Sequence, residues 1–242
     1  MPESRNVHGE HRAGAAPSDD SPASPVLRAA DLGLRSGKEW LFRGLNLSVY
    51  PGEGVGLLAE EGLSRTAAVL ALAGRLAADE GDLTVGDGPA VGRRGAARVR
   101  QVIQVGWMPG LRLFEDRARV SEVLDQARRA SLSRVRAEDA VSRDEELHLL
   151  GLSGRGHSRA GALPATIKSA LGALAAAHSH PRVIAMDLPE GSAAQEQVAE
   201  EVIGHLASRG IAVVVASQHA HAETRRSVQL PAGARPGSVV TA

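Results

Sequence analysis

Val55–Leu72 reads VGLLAEEGLSRTAAVLAL. An uninterrupted apolar run, Val55-Gly56-Leu57-Leu58, passes into a polar, glycine-containing loop. From Arg65-Thr66 onward the apolar residues recur at helical spacing. Strand, turn and helix N-terminus in that order form a phosphate-binding layout, because a helix start presents free N–H groups to an anion. The working loop of this kind reads G-x-x-x-x-G-K-S/T. The matching register here is Ala59-Glu60-Glu61-Gly62-Leu63-Ser64-Arg65-Thr66. Both end glycines are replaced, the lysine has become Arg65, and two glutamates stand in the cradle.

Outward from this stretch the chain reads as one α/β unit. Strands are expected at Val26–Leu34, Leu45–Tyr50 and Gly54–Leu58, with Pro51-Gly52 as the turn before the last of them. A helix follows at Arg65–Leu76, then strands at Asp82–Val85 and Val102–Gly106. Helical periodicity runs through Val120–Leu152. A helix at Thr166–His178, an apolar strand at Val183–Met186, a helix at Ala193–Ser208 and an apolar strand at Ala212–Ala216 complete the set. Two uninterrupted apolar strands imply a parallel sheet covered on both faces. The basic run from Arg93 to Arg100 is short and reads as a solvated loop.

Composition narrows the function classes. The 242 residues are 43% apolar but only 2% aromatic, so the core must be built of Leu, Val and Ala. Basic and acidic residues balance at 28 each, which gives no electrostatic footprint for nucleic acid. There is no cysteine, so disulfides and thiolate metal sites are excluded. No apolar run reaches the roughly 18 residues that a membrane span needs, and the N-terminus shows no secretory signal pattern. Residues 1–24 and 231–242 are Pro/Gly-rich and poor in large apolar groups, and are expected to be a disordered N-terminal tail and a flexible C-terminal one.

The order of elements over residues 25–230 resembles the nucleotide-binding domain of ABC transporters. Leu41–Glu53, LFRGLNLSVYPGE, looks like that family's approach to its phosphate loop. Leu72-Ala73-Gly74-Arg75-Leu76 and Glu80-Gly81-Asp82-Leu83 resemble the segment after the loop helix. Ile184-Ala185-Met186-Asp187-Leu188-Pro189 resembles the Walker B strand. The fold so implied is a P-loop NTPase-like α/β domain. It has a parallel core sheet, an N-terminal antiparallel β part and a helical subdomain at about residues 110–165.

The same resemblance shows what is missing. Gly62, Ser64, Arg65 and Thr66 occupy the ATP-binding loop, and Trp40 stands near the adenine-stacking position, which Ser36 itself holds. Thr66 and Asp187 match the Mg²⁺-binding pair. Arg65 is a wider planar fork than the family's lysine. Each of Glu60 and Glu61 repels a phosphate by about 2–3 kcal/mol at about 6 Å and an effective dielectric near 20. The catalytic glutamate position holds Leu188, which cannot orient water. The switch histidine position holds Gln218, with His219 next to it. Gly110 replaces the family's coupling Gln, and Ala194 an interface Asp. Leu163-Pro164-Ala165-Thr166-Ile167 replaces the L-S-G-G-Q motif. No residue is therefore assigned a catalytic role.

What the resemblance implies is an ATP-binding-protein-like subunit with a vestigial, catalytically inactive site, weak ATP and Mg²⁺ binding, and a structural or regulatory task in a transport complex. The alternative is a functional subunit hydrolysing ATP in a composite asymmetric dimer. Expected partners are a transmembrane subunit and a homodimeric or heterodimeric nucleotide-binding partner, with no nucleic acid. The expected place is the cytoplasm, at the inner face of the membrane. Trp107, Met108, Leu111 and Phe114 form an apolar cluster that reads either as core packing or as a socket for a partner helix. His178-Ser179-His180 and His219-Ala220-His221 have no carboxylate or cysteine at metal-site spacing.

Overall fold

The computed structural model describes residues 24–86, 88–89, 92–111, 114–131 and 141–232. Of the two expected tails, residues 1–23 and 233–242 lie outside these. The described elements are β1 (Leu27–Ser36), β2 (Glu39–Val49), β3 (Gly54–Leu58), α1 (Leu63–Leu72), β4 (Glu80–Val85), β5 (Gly88–Pro89), α2 (Gly92–Val102), β6 (Ile103–Val105), α3 (Val120–Ser131), α4 (Arg143–Leu149), a short 3-10 turn (Ala160–Ala162), α5 (Ala165–Ala177), β7 (Val183–Asp187), α6 (Ala193–Ser208), β8 (Ala212–Ser217) and β9 (Arg226–Gln229).

They form two sheets. β2-β1-β4-β5 is antiparallel, and β6-β7-β8-β3-β9 is parallel throughout. β7 and β8 are buried at every residue, as their apolar runs require. Successive side chains alternate between two cores. Val183, Ala185, Ala212, Val214 and Ala216 face the antiparallel sheet and α1. Ile184, Met186, Val213 and Val215 face the α3–α6 side.

Local chemistry sets the junctions. Gly52 has φ 65° and Glu53 N donates to Tyr50 O at 3.2 Å, so Pro51-Gly52 is the expected turn. Gly74 has φ 63° and ends α1, with Arg75 N donating to Leu70 O at 2.8 Å. The loop helix therefore stops at Leu72 rather than Leu76. Other expectations needed correction. The basic run is not a loop but lies in α2, where arginines alternate with Ala and Val at helical spacing. The helical periodicity over Val120–Leu152 corresponds to α3 and α4, and residues 132–140 between them lie outside the described set. The short edge strand β9, half buried at alternate residues, was not anticipated.

The apolar cluster around Trp107 divides between the two cores. Met108 is fully buried in the sheet-side core and Leu111 packs on it, whereas Phe114 packs on the helical side. Core packing thus accounts for Met108 and Leu111, and the four residues do not share one exposed face. Among the described residues, no helix is long and apolar enough to cross a membrane.

Candidate functional site

β3, β7 and β8, the three central strands, end side by side at the C-terminal end of the parallel sheet. Ala59 N donates to Ser217 O at 2.9 Å and Leu188 N to Ala216 O at 2.8 Å. These bonds hold the three strand ends level. The chain leaves β3 through Ala59–Gly62 and enters α1 at Leu63. Gly62 caps the helix with φ 150°, a backbone state that favours glycine. The first turn of α1 then brings Arg65 and Thr66 against Asp187, the last residue of β7.

The Arg65 side chain does not point out of the loop. It has no exposed surface, and its Nη2 lies 2.8 Å from Asp187 Oδ1, itself in a side chain only 2% exposed. Arg65 Nη1 donates to Ala59 O at 3.5 Å, and Thr66 Oγ1 donates to Asp187 Oδ2 at 3.3 Å. The Arg65–Asp187 contact is short and made through a single guanidinium nitrogen, while Arg65 Nε is buried without a hydrogen-bond acceptor among the described residues. It is therefore a one-pronged ion pair rather than a bidentate fork. Burial pushes the Asp187 carboxyl above its ordinary range and the Glu61 charge adds to this, while Arg65 and Thr66 oppose it.

Above the loop lies an open cavity of ≈ 990 Å³, lined by Trp40, Glu39, Glu60, Glu61, Gly62, Leu63 and Ser64 on one side and Gln229–Ala232 on the other. Gly62, Ser64 and Trp40 therefore border one space. Arg65, fully buried, does not face it. The Trp40 ring is already engaged by the guanidinium groups of Arg35 and Arg43, 4.0 and 4.8 Å from its centroid. Three glutamates and, among the described lining residues, no cationic side chain make this mouth unfavourable for a polyphosphate.

Leu188 is 2% exposed and belongs to the helical-side core. Gln218 is half buried just past β8. His219 is exposed, and its Nε2 lies 3.0 Å from Glu190 Oε1. Thr166 and Ile167, at the start of α5, are buried within their own chain. Within the Leu163–Ile167 segment these two side chains turn inward, whereas Pro164 is exposed. His178 Nε2 lies 2.7 Å from Glu146 Oε1, and among the described residues no grouping of three metal-ligating side chains occurs.

Two positioning residues escaped the sequence reading. Ser169 Oγ in α5 donates to Asp187 O at 2.5 Å and to Trp107 O at 3.2 Å. Thr166 Oγ1 donates to Pro189 O at 3.2 Å. Gly172, one turn on, lets α5 approach so closely that a Cβ there would collide with Trp107 N. The available signal was a pair of hydroxyls three residues apart inside an alanine-rich helix.

A magnesium–phosphate group does not fit this arrangement. The carboxylate that would face the metal already faces a guanidinium. A second cation beside it meets repulsion of about 4 kcal/mol per unit charge at about 4 Å and an effective dielectric near 20.

No family model matches the chain. It is 32% identical over 118 residues to a hemin import ATP-binding protein of Pseudomonas fluorescens, a match covering 48% of this chain and 45% of that protein. The chain thus matches less than half the length of that curated relative. Among solved structures, an ATP-binding cassette of an ABC transporter in its ADP conformation superposes with a TM-score of 0.63 at 17% identity, over 86% of this chain and 88% of that one. A nucleotide-free ATP-binding cassette gives 0.62 at 18% identity, with the same coverage.

Proposed function

We propose that this chain, an ABC transporter ATP-binding cassette in fold and by sequence resemblance, is a non-catalytic member of a transport complex. Its nucleotide-type site is closed by its own side chains, and its task is structural or regulatory. The buried contact between Arg65 and Asp187 carries this reading. It commits the phosphate-loop cation and the Walker B carboxylate to each other. Leu188 in the core removes the general base, and Glu60 and Glu61 oppose an incoming triphosphate at the mouth. Its proposed partners are a transmembrane subunit and a second nucleotide-binding subunit, at the inner face of the membrane. The hemin of the Pseudomonas fluorescens relative is not assigned to this chain.

The purified chain should show no Mg²⁺-dependent ATP hydrolysis above background. Calorimetric titration should give an ATP dissociation constant on the order of 100 μM or weaker. Steady turnover that disappears in Asp187→Asn would overturn the reading, as would a dissociation constant near about 1 μM. Turnover seen only after mixing with a competent partner subunit, and dependent on Asp187, would establish the composite-dimer alternative instead.

A further inference from the structure

We propose that the Arg65 guanidinium is a built-in replacement for a divalent cation. In this view Thr66, Asp187 and the Ala59 carbonyl form a cation seat whose occupant is covalently attached to the chain. The proposal rests on the reading of the site as closed, and gives the closure a physical cause.

Three observations carry it. First, the donors around the guanidinium are all oxygens: Asp187 Oδ1 at 2.8 Å and Ala59 O at 3.5 Å, with Thr66 Oγ1 bonded to the other carboxylate oxygen. Carboxylate, hydroxyl and carbonyl oxygens are the ligands that hard divalent ions take. Second, the arginine is only partly met. A guanidinium serving its usual role meets a carboxylate as a two-pronged fork. Here one nitrogen, Nη2, meets Asp187 Oδ1 at 2.8 Å, Nη1 reaches a carbonyl at 3.5 Å, and Nε is buried with no hydrogen-bond acceptor among the described residues. What the seat takes from the group is its charge. Third, the seat needs a cation. Asp187 is 2% exposed, and a carboxylate so placed without a counter-charge is strongly disfavoured. Arg65 enters from the first turn of α1, beside Thr66 in sequence, so its charge cannot diffuse away. The junction of β3, α1 and β7 is thereby held together with neither metal nor nucleotide, which suits a subunit that maintains one conformation.

The test compares the full chain with Arg65→Ala and with Arg65→Ala combined with Asp187→Asn, using MgCl₂ in thermal melts and Mn²⁺ in titrations followed by electron paramagnetic resonance. The wild type should bind no Mn²⁺ stoichiometrically and should shift by less than about 1 °C in Mg²⁺. Arg65→Ala should melt lower in chelator, take up a single Mn²⁺, and regain about 5 °C or more at a hundredfold excess of metal over its dissociation constant. The double variant should lose that response. If Arg65→Ala does not fold in chelator, refolding with Mn²⁺ decides: recovery in Mn²⁺ alone supports the proposal, and recovery in neither condition overturns it. Mn²⁺ binding by the wild type at Asp187, or a folded Arg65→Ala indifferent to metal, also overturns it. A folded Arg65→Ala indifferent to metal leaves the closed-site reading standing, since that reading fails on ATP binding or turnover by the wild type; Mn²⁺ binding by the wild type at Asp187 would count against both.

Discussion

Arg65 and Asp187 show how one substitution changes the meaning of a whole motif. Read in order, Ala59–Thr66 is a phosphate loop with a conservative-looking cation. In space, that cation is withdrawn beneath the loop and fully buried. Deleting one partner of a buried ion pair leaves the other charge stranded, at a cost of about 3–5 kcal/mol. Asp187→Ala should therefore lose about that much stability in urea denaturation, and Arg65→Met combined with Asp187→Leu should recover most of it. The carboxyl also makes a pH-dependent contribution. Its folded pKa is raised, with burial as the largest cause. The stability it contributes is fully present below the ordinary carboxyl range and is lost as the pH rises through the folded value. Asp187→Asn removes this titration. The stability difference between wild type and Asp187→Asn, measured at several pH values, should move in favour of the wild type as pH falls.

The second substitution acts through secondary structure. Leu188 follows β7 directly, and its side chain packs among the helices on the far side of the sheet. From sequence it reads as a missing base. In the fold it is a filled core position, held in place because Ser169 and Thr166 of α5 bond the backbone at Asp187 and Pro189. Restoring the acid by Leu188→Glu should not restore hydrolysis. It should place a carboxylate in the core, lowering stability by about 3 kcal/mol or more, with an earlier midpoint in urea. A stable, hydrolysing Leu188→Glu protein would show that this strand end can turn outward.

At the scale of the whole molecule, the cassette fold is present, and the proposed loss of chemistry lies in the residues set into it. β3, α1 and β7 meet where a nucleotide loop needs them, and the cavity beside them remains open. Replacing Ala59→Gly, Glu60→Pro, Glu61→Asn, Ser64→Gly and Arg65→Lys together should tighten ATP binding tenfold or more, about 1.4 kcal/mol, in calorimetric titration. Turnover should stay at background because Leu188 is unchanged. No gain in affinity would place the obstacle elsewhere in the fold.

Much of the frame was legible in the residues alone. The two apolar runs Val183–Met186 and Ala212–Ala216 announce a covered parallel sheet, because strands buried on both faces cannot alternate. Pro51-Gly52 marks its turn, and Glu60 and Glu61 declare an anion-averse mouth. Burial and turn chemistry are local properties, and local sequence reports them. The direction of Arg65 is not local. Its counter-charge lies at the end of β7, well over a hundred residues along the chain, and only the parallel pairing of β3 with β8 and of β8 with β7 brings the two together. The same holds for Leu188, whose neighbours come from separate helices, and for the hydroxyls of α5, whose acceptors sit on other elements. The sequence by itself determined that a cassette frame would form around an altered loop. That the loop's cation and the strand's carboxylate neutralise each other was decided by tertiary structure, because a buried charge settles on whichever opposite charge the fold delivers to it.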